Sequence, residues 1–276
     1  MNELQKKYNF ISGLPRSGST LLSSILNQNP SFTAGITDAL FEIIMSMIQI
    51  RSTSLSAHGS LGVEKLEELA RALFESYYSD SNPVVFNTHR AWTCETALAK
   101  KLFPTFKMIV CVRDIPWIVD SFERLNSDNP LTLKSIYHFG QGTSIYDRYN
   151  MLVGNVPDKA AYIAGPLKSL RQAMSCRERN QLLFVDYESL VSNTEATIKK
   201  IYEFIEEPYY EHDFDKVGAN YAEYDIPTGM DGMHLVRDKV SKIQRDTVLP
   251  KDLWAEAEQM SFWKFDHQLK NKLNWI

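Results

Sequence analysis

YNFISGLPRSGSTLLSSILN, residues 8–27, is the stretch that decides the fold of this chain. Residues 8–12 are a short β-prone run, and residues 13–18 bring glycine, proline and serine together. From Thr20 onward Leu21, Leu22, Ile25 and Leu26 recur at helical spacing. The reading is a buried strand, a glycine loop and a helix. Such a loop turns backbone N–H groups and the positive end of the helix toward one point, which is a seat for an anion.

Three more compact β-rich runs follow: VVFNTH from Val84, FKMIVCV from Phe106 and LLFVDY from Leu182. Between and around them lie helical patterns: residues 38–50, GVEKLEELARALFESYYS from Gly62, PWIVDSFERL, PLKSLRQAM, TEATIKKIYEFIEE after a capping Asn193, and PKDLWAEAEQMSFW opening on Pro250. Alternating strands and helices predict an α/β fold, a P-loop-like central parallel β-sheet flanked by α-helices. RSTSLSAHGS, residues 51–60, reads as a loop, and so does the stretch 126–154 with Tyr137, Phe139, Tyr146 and Tyr149. No repeat or flexible linker divides the sequence, so residues 1–276 are expected to form a single domain.

Composition narrows the function. A net charge of −4 argues against general binding to nucleic acid or a membrane surface, so an anionic ligand must meet locally placed cations. Cys94, Cys111 and Cys176 form no CxxC pair, which fits a reducing compartment. The first residues lack the apolar core of a signal peptide and no run is long enough to span a bilayer. The expected location is cytoplasmic.

Residues 13–20 have the spacing of the nucleotide-binding loop GxxxxGK[ST], but Ser19 stands where the lysine belongs. A triphosphatase needs that lysine on the terminal phosphates and acidic groups around magnesium. Here the prominent charge moves to Arg16. PRSGST followed by an apolar helix resembles the 5′-phosphosulfate loop of the sulfotransferases that use PAPS, 3′-phosphoadenosine-5′-phosphosulfate. At the position of Arg16 the cytosolic enzymes of that family carry lysine, and the tyrosylprotein and many bacterial ones arginine. The resemblance implies the sulfotransferase fold, PAPS as donor, adenosine 3′,5′-bisphosphate (PAP) as product and no metal. It also implies donor contacts from Arg16, Ser17, Gly18, Ser19 and Thr20.

Three further elements extend the resemblance. In FKMIVCVRDIPWIVDSFERL, Arg113 at a strand end and Ser121 eight residues later match the pair that holds the 3′-phosphate. A guanidinium fork and a hydroxyl suit that task; the plainer alternatives are a pairing of Arg113 with Asp114 and an exposed Ser121. LLFVDYESL resembles the family's YEDL element, which implies Tyr187 near the adenine, or else in the core. HLVRDKVSK sets Arg237 and Lys239 in the loop that closes over the 3′-phosphate in relatives, although the cytosolic Arg-Lys-Gly triplet is absent and a solvated charge run has the same look.

For the chemistry, Arg16 suits stabilisation of the leaving phosphate, and His89 in NTHRAW resembles the histidine base of the KTH element. Asn87 replaces the lysine of that element, and Arg90 offers partial substitution. Asp38 is the alternative base, since tyrosylprotein sulfotransferases carry a catalytic glutamate in this region; a helix N-cap is its plainer reading, and Glu42 reads as exposed one turn later. His58, His138, His212, His234 and His267 form no metal pattern and read as ordinary residues, with His138 the nearest of them to an acceptor. Trp117, Phe122, Trp254 and Trp263 read as core. The expected function is transfer of the sulfuryl group of PAPS to a hydroxyl or amine acceptor, a small molecule, sugar or peptide, with Tyr137, Phe139 and Tyr146 as apolar walls. A P-loop small-molecule kinase and a catalytically inactive nucleotide-binding protein are the alternatives.

Overall fold

The structure, a computed structural model, describes residues 6–128, 144–154, 162–227 and 231–276. β1 (Lys7–Gly13), β2 (Phe32–Ala34), β3 (Val84–Thr88), β4 (Met108–Val112) and β5 (Leu182–Asp186) form one parallel sheet in the order β2-β3-β1-β4-β5. β3 and β4 are buried along their whole length, as strands covered on both faces must be. Alternate residues feed two apolar clusters. Phe10, Val85, Met108, Val110 and Phe184 face one cluster, with the helices α2 (Leu40–Thr53), Val63–Tyr77, Ile115–Asp128 and Lys251–Met260. Ile11, Phe86, Ile109, Cys111 and Val185 face the other, with α1 (Ser19–Leu26) and the helix Thr194–Ile205.

β1 lies at the centre, with β3 on one side and β4 on the other, so the crossovers leave it in opposite directions. A crevice opens outside the carboxyl ends of strands at such a point. The predicted donor loop follows β1, His89 follows β3, Arg113 follows β4 and Tyr187 follows β5. The topology alone gathers these residues at one rim.

Gly13 makes the β1–β4 approach possible. Its φ is +115°, and a Cβ there would lie 2.1 Å from the carbonyl oxygen of Cys111. No L side chain fits both demands.

The structure corrects several local expectations. β2 is only three residues long and carried no periodic signal. Residues 51–60 are not a loop: α2 runs to Thr53, and a short helix Leu55–Ser60 follows, where Ser54 Oγ accepts the Ala57 N–H at 3.3 Å. Ser54 acts as the cap, while Ser52 and Ser60 donate back to carbonyls four residues earlier. Within the stretch 126–154, residues 126–128 continue the helix Ile115–Asp128, and Ile145–Val153 is a helix opened by a Ser144/Asp147 capping box. Asn193 occupies its expected capping position but makes no side-chain capping bond. Residues 274–276 lie along β5, with Phe184 N–H donating to Asn274 O at 2.8 Å and Asp186 N–H to Ile276 O at 2.7 Å, and they cover that sheet edge. Trp263 and Phe122 are buried, and Trp117 packs edge-on against Trp254 at 4.9 Å. Among the described residues no helix is long and apolar enough to cross a membrane.

Candidate active site

β1 passes into α1 through a tight turn. Leu14 N–H donates to Cys111 O at 2.9 Å, and the buried Ser17 hydroxyl donates to Leu14 O at 2.5 Å. Arg16 takes the left-handed φ of 55°, uncommon outside glycine. Gly18 caps α1 at φ 96°, with no side chain over the first turn and no acidic residue in it. A Cβ on Gly18 would press on the Tyr187 ring at 2.9 Å, so the ring packs directly against the loop backbone. The first N–H groups of α1 therefore face the cavity without a capping side chain, a polarity suited to an anion.

The residues implied for the donor come into mutual contact. Arg16 Nε donates to Ser121 Oγ at 3.0 Å, and Arg16 Nη1 donates to the carbonyl of Met233. Arg113 Nη1 donates to Arg16 O at 2.9 Å, and its guanidinium lies over the Tyr187 ring at 4.1 Å. Asp114 pairs with Lys264 at 2.7 Å instead of with Arg113, whose buried Nε has no partner. Burial, and then repulsion from Arg113, brings the Arg16 pKa down to about 10; burial also lowers Arg113, with Arg245 adding to the effect. Both stay charged at neutral pH. Two half-desolvated cations this close create a demand for negative charge that a bound anion answers.

A further cation joins them. Asp120, fully buried on the helix Ile115–Asp128, accepts from Arg245 at 2.6 Å, Arg124 at 3.1 Å and Val248 N–H at 2.9 Å. It pins the irregular segment 245–248 over the cavity and holds Arg245 beside Trp117. Arg237 and Lys239 also line the cavity but are exposed, and Lys239 pairs with Asp215 at 2.9 Å.

On the opposite side stands His89, stacked on Phe41 at 4.4 Å. Ala91 N–H donates to its Nδ1 at 3.2 Å, and Nε2 faces Glu42 Oε1 at 2.8 Å. Asp38 lies behind this pair. It accepts from Leu40 N–H at 2.9 Å, from the Tyr78 hydroxyl at 2.7 Å and from Asn87, and burial raises its pKa. Asn87 in turn accepts from Trp92 Nε1 at 2.7 Å, so the position of the family lysine is spent inside the core. Arg90 lies over Tyr162 at 4.4 Å and donates to its hydroxyl at 2.9 Å.

All of this surrounds one cavity of about 1350 Å³. Arg16, Gly18, Ser19, Thr20, Arg113, Ser121, Tyr187, Arg237, Lys239 and His89 line it. The Ser17 side chain and Asp38 do not; Ser17 is turned into the loop and Asp38 into the layer behind His89. Tyr146 is also elsewhere, exposed and donating to Asp252 at 3.1 Å, while Tyr149 is buried. Tyr137, His138 and Phe139 fall outside the described residues, as does the His267 side chain. His58 is exposed on its short helix, and His212 is buried against the Tyr202 hydroxyl at 3.0 Å. Sequence reasoning missed Glu42, Arg245, Tyr162, Tyr224 and His234 as lining residues. Only Glu42 carried a local signal, one turn beyond Asp38; the others arrive through long-range packing.

The profile of the sulfotransferase family matches residues 10–211. Comparison with curated protein sequences returned no match. Among solved structures, the sulfotransferase domain from the curacin biosynthetic pathway is 15% identical over 95% of this chain and 98% of its own, with a TM-score of 0.54, a likeness of fold. The sulfotransferase domain of the Synechococcus PCC 7002 olefin synthase reaches a TM-score of 0.47 at 18% identity over 95% of this chain and 97% of that one. Mouse SULT7A1, solved with PAP, reaches 0.45 at 16% identity over 74% and 61%. A family match over well more than half of the sequence, on a five-stranded parallel sheet with its crevice at the β1 loop, makes this chain a member of the sulfotransferase family.

Proposed function

We propose that this sulfotransferase takes its sulfuryl group from PAPS, passes it to a hydroxyl or amine, and releases PAP. The observation that carries the reading is the contact network Arg16–Ser121, Arg113–Arg16 and Arg113–Tyr187 around the uncapped end of α1. Gly18, Ser19 and Thr20 supply the α1 terminus to the 5′-phosphosulfate, with the Ser17 backbone completing the turn. Arg16 stabilises charge on the leaving phosphate; being protonated at all working pH values, it serves as an electrostatic group and not as a proton donor. Arg113, with its unpartnered Nε, and Ser121 take the 3′-phosphate, and Arg237 and Lys239 approach it from the rim. Tyr187 flanks the base.

On the acceptor side we assign His89 and Glu42 to the acceptor's hydroxyl or amine: His89, expected from the sequence as the base, has its Nδ1 taken by the Ala91 N–H and turns Nε2 to Glu42, so Glu42 is the hydrogen-bond acceptor, and Asp38, the alternative base, braces them from behind. Residues 1–276 are taken as one sulfotransferase domain, because both apolar clusters pack on the same sheet. The free thiols of Cys94, Cys111 and Cys176 fit a cytoplasmic setting. Calorimetry with PAP, ADP and magnesium-ATP tests the donor. A 3′-phosphate in charge-assisted hydrogen bonds contributes roughly 1.5–3 kcal/mol, so PAP is expected to bind about 10- to 100-fold more tightly than ADP. Preference for magnesium-ATP would replace this reading with the kinase one.

A further inference from the structure

The cavity holds a second histidine, His234, whose surroundings are those of a proton acceptor. It is partly buried, and its Nδ1 lies 2.5 Å from Oδ1 of Asp225, a carboxylate that is itself buried. The His234 backbone N–H donates to the other oxygen, Asp225 Oδ2, at 2.8 Å. Two bonds from one residue to one carboxylate fix both ring position and tautomer. A carboxylate only accepts, so Nδ1 carries the ring proton and Nε2 keeps its lone pair.

His89 has the opposite arrangement. The Ala91 N–H occupies its Nδ1 lone pair, so the neutral ring carries its proton on Nε2 and donates it to Glu42. One imidazole is a donor toward its neighbour; the other is ready to accept.

Position favours the same residue. Arg16 donates to the carbonyl of Met233, the residue before His234, so His234 is joined through one peptide unit to the guanidinium at the donor loop. The titratable and charged groups around it are Asp225 and Tyr224 from the helix Ala222–Asp225, Arg16 from the β1 loop and Arg90 from the turn after β3. Burial holds the imidazole below the ordinary histidine pKa while Asp225 opposes the shift, and the ring is neutral at pH 7.

Resting on the PAPS reading, we infer that His234, held by Asp225, takes the proton of the acceptor during sulfuryl transfer. The acceptor O–H or N–H proton passes to His234 Nε2 as the new O–S or N–S bond forms. The bond from sulfur to the bridging oxygen breaks, and its electron pair stays on the 5′-phosphate of PAP beside Arg16. Asp225 is a positioning residue that also faces the imidazolium formed.

The test uses His234→Gln, Asp225→Asn and His89→Gln in the full chain. PAP release from PAPS is followed against pH, with 2-naphthol as acceptor, or water where no transfer to 2-naphthol is seen. Expected for His234→Gln is a loss of about 100-fold or more in kcat, disappearance of the histidine limb of the pH profile, and an unchanged PAP Kd. Asp225→Asn should move that limb as well as lower kcat. His89→Gln should keep the limb and act on acceptor KM. Nitrogen-15 NMR of the wild-type imidazoles should show Nε2 of His234 unprotonated at pH 7.5. A limb that survives in His234→Gln, or vanishes in His89→Gln alone, or a protonated His234 Nε2, overturns the inference. Failure of the wild-type chain to bind PAP would instead overturn the donor reading.

Discussion

The two walls of the cavity are built differently. On the donor wall, Arg16, Arg113 and Tyr187 each follow a strand or open the helix after it, Ser121 stands two turns into the helix after β4, and they form a chain of contacts. On the acceptor wall, Glu42, His89, Arg90, Tyr162, Tyr224 and His234 come from five separate stretches of chain, in hydrogen-bonded or edge-to-face pairs. A ligand common to a family can be held by a frame that the sheet itself fixes, whereas an acceptor that varies is met by residues that packing can exchange. Difference in origin, more than difference in residue type, separates the two walls.

The donor wall should therefore break at one backbone position. Gly13→Ala introduces a Cβ where Cys111 O leaves no room, at a φ that alanine resists. The expected loss is on the order of 4 kcal/mol or more, enough to unfold a marginal domain. Urea denaturation measures it, and a variant as stable as the wild type would show that the β1–β4 approach is not the constraint described. Next in size comes Arg113→Ala, which removes a largely buried cation with an unpartnered Nε. It should weaken PAP by about 1.5–3 kcal/mol and ADP by much less. Equal losses for both ligands would move Arg113 away from the 3′-phosphate.

Acid pH separates the walls more gently. His89 and His234 line the acceptor wall and His212 lies in the core, and burial lowers the pKa of all three below the ordinary 6.5. The unfolded chain therefore binds protons that the folded chain refuses. Their contribution to stability is complete above 6.5 and falls as the pH drops toward their folded values. The melting temperature is expected to fall from pH 7 to pH 5, and His212→Asn should flatten part of that slope without touching transfer. A slope identical in that variant would assign the effect elsewhere.

The same contrast explains how much could be read from the sequence. The parallel sheet, four of its strands and the residues that gather at its rim were legible because each lies within a few residues of its strand and loop, where hydrophobic period and glycine placement carry the signal. Ser17 was the donor-loop residue whose side chain turned inward, since the spacing of a loop does not say which hydroxyl closes the turn. Asp38 illustrates the limit on the other wall. Its composition suited both a base and a cap, and only Tyr78 and Asn87, folded over it from distant stretches, set it behind the cavity with Glu42 in front. His234 was read as ordinary because Asp225, nine residues earlier, becomes its partner only through the turn between them.

Tyr146 tests the boundary of the acceptor wall, and its expected effect is the smallest. The sequence placed it in a loop beside Tyr137 and Phe139 as part of an apolar acceptor surface. The capping box at Ser144 and Asp147 starts a helix there instead, and the Tyr146 hydroxyl points across to Asp252 on the helix Lys251–Met260. An exposed pair of this kind contributes little, because water replaces either partner readily. Tyr146→Phe should leave the melting temperature, the PAP Kd and the acceptor KM at their wild-type values. A raised KM with the other two unchanged would carry the acceptor wall beyond Tyr162 and Tyr224 onto the helix Ile145–Val153, and the acceptor would then be longer than the cavity beside the donor loop.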